Sequence, residues 1–354
     1  MSRFFSEKYK NLTPYTPGEQ PRDMQYIKLN TNESPFPPSE KAQKMAAEAA
    51  AKLHLYPDPT CRALHAAMAE RLGVETEEVL VTNGSDEILN FAFMAFCDPK
   101  TPAVFPDITY GFYEVFAELN SVPYKKIPLR EDFTVNIEEY CGNNATVFLA
   151  NPNAPTGIAL TPAEIERILR ANPDHVVVID EAYVDFGGES CVPLIKQYDN
   201  LLVTQTFSKS RSMAGARLGV GVGAASLIAD LNTVKYSTNP YNINTMTMAA
   251  GLGVLADEAY TQRNCATIIE NRAYVTESLK KMGFETTPSQ ANFVFAKHPC
   301  VAGEEIYRRL RERGILVRHF TSPRIADYNR ITIGSLADMQ TLIKTLEQIL
   351  EETT

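Results

Sequence analysis

The 354-residue chain is 44% hydrophobic, material for more than one core, so two domains are the default expectation. Its formal net charge of −9 and its lack of any basic run argue against nucleic acid or an anionic membrane surface as a partner. No apolar run approaches the roughly 20 residues of a membrane span. The six cysteines and five histidines show no metal-ligand spacing, so no metal is expected. Reduced thiols, and a mixed, charged MSRFFSEKYK without the marks of a secretory signal, fit a cytoplasmic protein.

The first 40 residues, with NLTPYTPGEQP and LNTNESPFPPS, read as an irregular arm containing a short strand at 27–29. Pro37, Pro38 and Ser39 open a helix whose apolar positions Ala42, Met45, Ala46, Ala49 and Leu53 keep helical spacing. A second helix covers 63–72 and closes at Gly73. Strands and helices then alternate: strand 79–82, helix 86–96, strand 103–105, helix 111–119, strand 146–150, helix 162–171, and strands at 176–179, 201–204 and 218–222. Short apolar strands between helices predict an α/β fold, with a large domain whose mostly parallel sheet is covered by helices on both faces. Beyond residue 240 the texture changes. A segment at 245–256 and a long helix over 260–282 lead to strands at 293–296, 315–318 and 330–333, with helices between them and a last helix to about 350. This predicts a smaller α+β domain. The expected division is an arm over 1–40 packing with the small domain and the active site, a large domain over 41–255 and a small domain over 256–354.

In open parallel sheets, ligands bind beyond the carboxyl ends of the strands. Four apolar strands here end in polar groups. VLVT runs into Asn83-Gly84-Ser85-Asp86 at a helix start, and VFLA into Asn151-Pro152-Asn153-Ala154-Pro155-Thr156-Gly157. VVVI runs into Asp180-Glu181-Ala182-Tyr183, and LLVTQTF into Ser208-Lys209, with Arg217 close behind. Each alone has a plain explanation: a capped helix, a proline turn, a surface acid, a solvated lysine. Together they suit a phosphorylated aromatic aldehyde. Lys209 can form an imine. The amides at Gly84, Ser85 and Asp86 make a phosphate site at a helix N-terminus, and Thr206, Ser208 and Arg217 add donors. Asp180, carried into the interior by VVVI, needs a cationic partner, which a protonated ring nitrogen supplies. Tyr183 is placed to reach a ring hydroxyl. The glycines of Gly219-Val220-Gly221-Val222-Gly223 have the wrong spacing for a dinucleotide fingerprint and read as a strand packed closely under the site.

As a set, N-P-N-x-P-T-G, then D-E-A-Y, then S-K-x(7)-R resembles the fold-type I, pyridoxal 5′-phosphate (PLP)-dependent aminotransferases of class I/II, in matching order along nearly the whole chain. The resemblance implies that Lys209 is the Schiff-base lysine. Asp180 would pair with the pyridine nitrogen and Tyr183 would bond the ring O3′. Arg217, Ser208 and the amides of Gly84 and Ser85 would hold the phosphate. Tyr110, in ITYGFY, matches the aromatic that stacks on the ring. Tyr56, in LYPDP, matches the tyrosine that reaches the neighbouring subunit's phosphate in a homodimer. Arg330, in NRITIGS, matches the arginine that grips the substrate carboxylate. One position departs from the pattern. The family usually has an asparagine before P-T-G that bonds O3′, and here it is Ala154; either Asn153 takes that role or Tyr183 acts alone.

LTPY followed by LNTNES resembles the histidinol-phosphate aminotransferase branch, in which these segments lie over the substrate. That implies an exchange of the amino group between L-histidinol phosphate and 2-oxoglutarate, with Tyr15 and Asn32 at the substrate. Arg330 would serve the phosphate, with Arg324 and Arg318 as further candidates. Tyr15 fits an imidazole pocket or simple arm packing, Arg324 a ligand or a loop arginine, and Asn242 a partner's site or an interface loop. Alternatives within the resemblance are a threonine-phosphate decarboxylase-like enzyme, a broad aromatic amino acid aminotransferase and a PLP-binding regulator without turnover.

Overall fold

Apolar strands and the helices between them assemble, in a computed structural model that describes residues 2–10 and 12–353, around two larger sheets and a two-stranded one. Strand β1 (Ile27–Lys28) lies in the arm, followed by helices α1 (Glu40–Ala49) and α2 (Arg62–Leu72). Ser39 starts α1 by accepting a hydrogen bond from the Ala42 amide. Then come β2 (Val79–Thr82), α3 (Ser85–Phe96), β3 (Ala103–Pro106), α4 (Phe112–Asn120), β4 (Tyr124–Ile127), β5 (Thr146–Ala150) and α5 (Pro162–Ala171). Helix α5 has a reciprocal Thr161–Glu164 capping box with Pro162 in its first turn. Strands β6 (Val177–Asp180), β7 (Leu201–Thr206) and β8 (Gly219–Gly223) complete the large sheet, and α6 (Ala225–Thr238) and α7 (Thr245–Leu255) follow.

The large sheet has the order β2-β8-β7-β6-β5-β3-β4, and only β8 runs antiparallel to its neighbours. Alternate side chains of its strands feed two apolar layers. Val79, Val147, Ile179 and Val203 pack towards α2, α5 and α7, while Leu80, Phe148, Val178 and Leu202 pack towards α3, α4 and α6. Register then fixes the rim: Ala150 is level with Asp180, and Asp180 with Thr204.

The long helix α8 (Glu258–Lys281) leads to β9 (Glu285–Thr286), β10 (Phe293–Lys297), α9 (Gly303–Glu312), β11 (Ile315–Leu316), β12 (Arg318–His319), β13 (Tyr328–Thr332) and α10 (Leu336–Glu351). The second sheet, β12-β13-β10-β9, is antiparallel throughout. Strand β1 pairs in parallel with β11, which fastens the arm to this smaller unit. The predicted strand over 315–318 is thus two short ones in different sheets, split at Val317. Strand β4 and helix α6 carried too little pattern to be predicted. Strand β4 is an edge strand, YKKI, with Lys125 and Lys126 turned to solvent. Helix α6 spreads its apolar residues around the axis and buries a lysine, Lys235.

Candidate active site

A cavity of about 350 Å³ opens at the carboxyl ends of β5, β6 and β7. Strand β6 brings Asp180 into it almost fully buried, at 4% exposure. Its Oδ2 accepts a hydrogen bond from the Tyr113 hydroxyl at 3.2 Å, and Oδ1 accepts from the Ala182 amide at 3.3 Å. Among the described residues no cation pairs with it. Burial, with the nearby Asp86 adding to it, pushes the Asp180 carboxyl up to about 7. The adjacent Glu181 is buried beside it but points elsewhere. It accepts from the Cys191 amide, the Ser190 hydroxyl and the Gln205 side-chain amide. Its burial outweighs those donors and also pushes it up to about 7.

Strand β7 ends in Thr206, and the turn beyond it delivers Ser208 and Lys209 to the same cavity. The Lys209 Nζ donates to the Thr31 carbonyl at 3.1 Å and lies 5.8 Å from the centre of the Tyr183 ring. Tyr183 stands edge-on to Phe293, and its hydroxyl accepts from the Asn32 side-chain amide at 3.0 Å.

The start of α3 forms a third wall. Gly84, its N-cap, has φ 81, which favours glycine. The amides of Ser85 and Asp86 begin the helix where no preceding carbonyl can accept from them. Arg217 reaches this point from the turn before β8. Its Nη2 pairs with Asp86 at 2.9 Å, and its Nη1 lies 3.5 Å from the Ser208 hydroxyl. A Cβ at position 84 would sit 2.5 Å from Arg217 Nη2, and one at Gly219 only 2.3 Å from the Ser85 nitrogen. Strand β8 is therefore glycine-rich because the helix start presses directly on it. Tyr110 covers the cavity from the turn before α4, its hydroxyl donating to Asp86 at 2.7 Å.

A nucleophilic amine, a buried carboxylate without a cation and an anion-ready helix start thus face one space. The family described as aminotransferase class I and II matches the chain over residues 24–346. The chain belongs to this family. Histidinol-phosphate aminotransferase 2 of Dechloromonas aromatica (strain RCB) is 48% identical over 354 residues, covering 99% of both chains. Histidinol-phosphate aminotransferase of Marinomonas sp. (strain MWYL1) is 49% identical over 353 residues, covering 99% of this chain and all of the relative. The fold matches that of histidinol-phosphate aminotransferase from Sinorhizobium meliloti, solved in complex with pyridoxal-5′-phosphate, with a TM-score of 0.85. That match spans 93% of this chain and 92% of the other at 23% identity.

In this aminotransferase the predicted residues Ser85, Asp86, Tyr110, Asp180, Tyr183, Thr206, Ser208, Lys209 and Arg217 line one cavity, with Gly84 at its edge. Two readings need correction. Asn153 does not face the cavity. Its side-chain amide donates to the Ile108 carbonyl and the Thr156 hydroxyl, and its oxygen accepts from Thr109, so every group is spent on holding the turn. Ala154 is the residue presented there instead. Arg324 is a loop arginine. It pairs with Asp107 at 2.7 Å and donates to the carbonyls of Leu129 and Arg130.

Asn32 is buried at 1% exposure and reaches Tyr183 rather than lining the cavity. Asn242 donates to Glu87 of its own chain. Tyr15 stacks on Phe112, with ring centres 4.2 Å apart, beside Tyr110. Arg330 donates to the Asn30 carbonyl at 3.1 Å, leaves its Nε without a partner, and pairs with no carboxylate among the described residues. Burial lowers its hold on the proton, with Tyr183, Tyr15 and Tyr110 around its charge. Tyr56 lies away from the cavity, 83% exposed and stacked on Tyr241.

Sequence reasoning missed Gln20, Thr31, Glu33 and Tyr113. Thr31 and Glu33 flank Asn32 in LNTNES, and Tyr113 follows Tyr110 at helical spacing, so all three had a signal. Gln20, in an arm without periodicity, had none.

Proposed function

We propose that this chain is an aminotransferase that exchanges the amino group of L-histidinol phosphate with 2-oxoglutarate, using PLP. The observation that carries the reading is identity of 48–49% over 99% of the chain to relatives named for that activity. The cavity fits the cofactor on its own evidence. Asp180 is buried without a cation, and a protonated ring nitrogen would remove that defect. Glycine at 219 lets β8 press against the helix start and glycine at 84 lets Arg217 reach it, which sets a cation beside the free backbone amides that a phosphate needs.

Lys209 would hold the cofactor covalently. Arg217, Ser208, Thr206 and the amides of Gly84, Ser85 and Asp86 would hold its phosphate, with Tyr110 over the ring. When bound, PLP draws electrons away from the substrate Cα. The chain supplies the rest. Asp180 would keep a proton on the ring nitrogen, and the Tyr183 hydroxyl would serve the ring oxygen. With the cofactor bound, the Lys209 Nζ would serve as the general base that takes the proton from the substrate Cα and as the general acid that delivers it to the cofactor carbon. Arg330, with no carboxylate of its own, is the cation for the substrate's anionic end, and Tyr15 flanks it.

The test is a half-reaction. Holoenzyme mixed with L-histidinol phosphate should lose its visible cofactor absorbance and regain it with 2-oxoglutarate. Carbon dioxide released from threonine phosphate would favour the decarboxylase-like alternative, and equal turnover of phenylalanine the broad aromatic one.

The same reading makes the protein a cytoplasmic homodimer, with an arm over 1–40, a large domain over 41–255 and a small domain over 256–354. Leu53, Leu55, Tyr56 and Tyr241 form an exposed apolar patch that a second subunit would cover. The loop carrying Tyr56 is anchored from beneath, because buried Lys235 and Tyr236 both donate to the Pro59 carbonyl. If Tyr56 serves the neighbouring site, subunits carrying Tyr56→Ala and subunits carrying Lys209→Ala should complement. Co-refolded, they should give more activity than the sum of the two parents at limiting PLP. Activity equal to that sum would rule out the crossing.

A further inference from the structure

Ala154 presents a methyl group to the cavity, and neighbouring Asn153 is fully engaged in its own turn. The turn after β5 therefore supplies no amide to the space in front of Tyr183. The amide that Tyr183 does receive comes from the arm. Asn32 Nδ2 donates to the Tyr183 hydroxyl at 3.0 Å.

The orientation of that amide is set by its surroundings. Asn32 Oδ1 accepts from the Thr332 hydroxyl at 2.9 Å, and Thr332 Oγ1 accepts in turn from the Asn32 backbone N–H at 3.0 Å. The Asn32 carbonyl accepts from the Asn292 side chain at 3.0 Å. Turning the amide over would cost the buried Thr332 hydroxyl the acceptor its proton has here. The backbone is held as firmly, with Asn32 in the left-handed region at φ 55, which asparagine tolerates better than most residues. A phenol has one proton. A Tyr183 hydroxyl that accepts from Asn32 keeps that proton free to donate elsewhere, and the cavity is the open direction.

We propose that Asn32 is a positioning residue that fixes the Tyr183 hydroxyl as a donor into the cofactor cavity, so that the arm supplies the amide missing at Ala154. The inference rests on the PLP reading above. A donor to the cofactor's ring oxygen draws negative charge away from beside the Lys209 nitrogen and eases loss of its proton. The pH midpoint of the holoenzyme's visible absorbance therefore reports the Tyr183 bond without any turnover.

Loss of one hydrogen bond should move that midpoint up by roughly one pH unit in Tyr183→Phe. Asn32→Ala should move it in the same direction by a smaller amount. Asn32→Asp keeps the size but can only accept when ionised, and should shift the midpoint at least as far as Asn32→Ala. In the Tyr183→Phe background Asn32→Ala should add nothing to the shift. Ala154→Asn should pull the midpoint of Asn32→Ala back towards that of the unaltered enzyme. A residue that only packs the arm would lower the melting temperature and leave the midpoint in place. A Tyr183→Phe shift that Asn32→Ala and Asn32→Asp both fail to reproduce overturns the inference and leaves the PLP reading standing. No shift in Tyr183→Phe itself removes Tyr183 from the ring oxygen and also overturns the inference, whereas a chain that gains no visible absorbance with PLP overturns the PLP reading.

Discussion

Replacing Lys209 with alanine is expected to lower single-turnover transamination of L-histidinol phosphate by at least about 10⁴-fold, the upper range for loss of a positioned acid–base group. The covalent hold on the cofactor goes with the same atom, so the loss should lie at or beyond that range. The fold has little reason to fail. The Lys209 side chain is only partly buried, and its one hydrogen bond is to the Thr31 carbonyl at the edge of an open cavity. A dead but folded variant, with an unchanged circular dichroism melt, is therefore the expected outcome. Lys209→Arg keeps the charge but offers no amine that is free at neutral pH, and should be as inactive. Ordinary transamination by either variant would remove Lys209 from the chemistry and with it the assignment of the cavity.

The lysine was legible because the sheet made it so. Strands β2, β5, β6 and β7 are short and continuously apolar, which marks burial on both faces, and a parallel arrangement sends their next residues to one rim. Asp180, Lys209 and the Gly84 turn follow from that logic alone. Two kinds of information were not available. One is the side of a tight turn on which a side chain emerges. Asn153 and Ala154 are adjacent, and only the bonds of Asn153 to Ile108, Thr109 and Thr156 decide which of them meets the cavity. The other is long-range pairing without a local trace. Arg324 meets an acid far back in the chain at Asp107, and the Asn32 amide meets Tyr183 across a similar gap. The large fold shares this division. The central strands were readable, whereas the edge strand β4, with its exposed lysines, and helix α6, with a lysine inside, lacked the pattern that burial imposes elsewhere.

Asp180→Asn should act with opposite signs on the empty and the loaded protein. Without cofactor, the folded chain holds a proton on Asp180 up to about pH 7, whereas the unfolded chain releases it near the ordinary 3.8. Between those values the folded state binds the extra proton, so stability contributed by this group falls as pH rises through the window and levels off above it. The full cost of the buried carboxylate is about 4 kcal/mol at pH 8, since each pH unit across that window costs roughly 1.4 kcal/mol. Asparagine removes the charge and keeps an oxygen for one of the two donors, Tyr113 or the Ala182 amide. The apo variant should therefore be a few kcal/mol more stable than apo wild type at pH 8, with little difference near pH 4. Glu181 titrates in the same direction in both proteins, and its repulsion of Asp180 is part of the cost that the substitution relieves. With PLP bound the order reverses. The ring nitrogen loses its anionic partner, so the variant should gain less stability from PLP than wild type and transaminate about 10²- to 10³-fold more slowly, the usual size of a lost preorganised electrostatic contact. Denaturant titrations of both forms at pH 4 and pH 8, with the rate of the half-reaction, measure these quantities. An apo variant no more stable than wild type at pH 8 would mean that Asp180 already has its cation without the cofactor, and the argument that the cavity is built for a protonated ring nitrogen would fail.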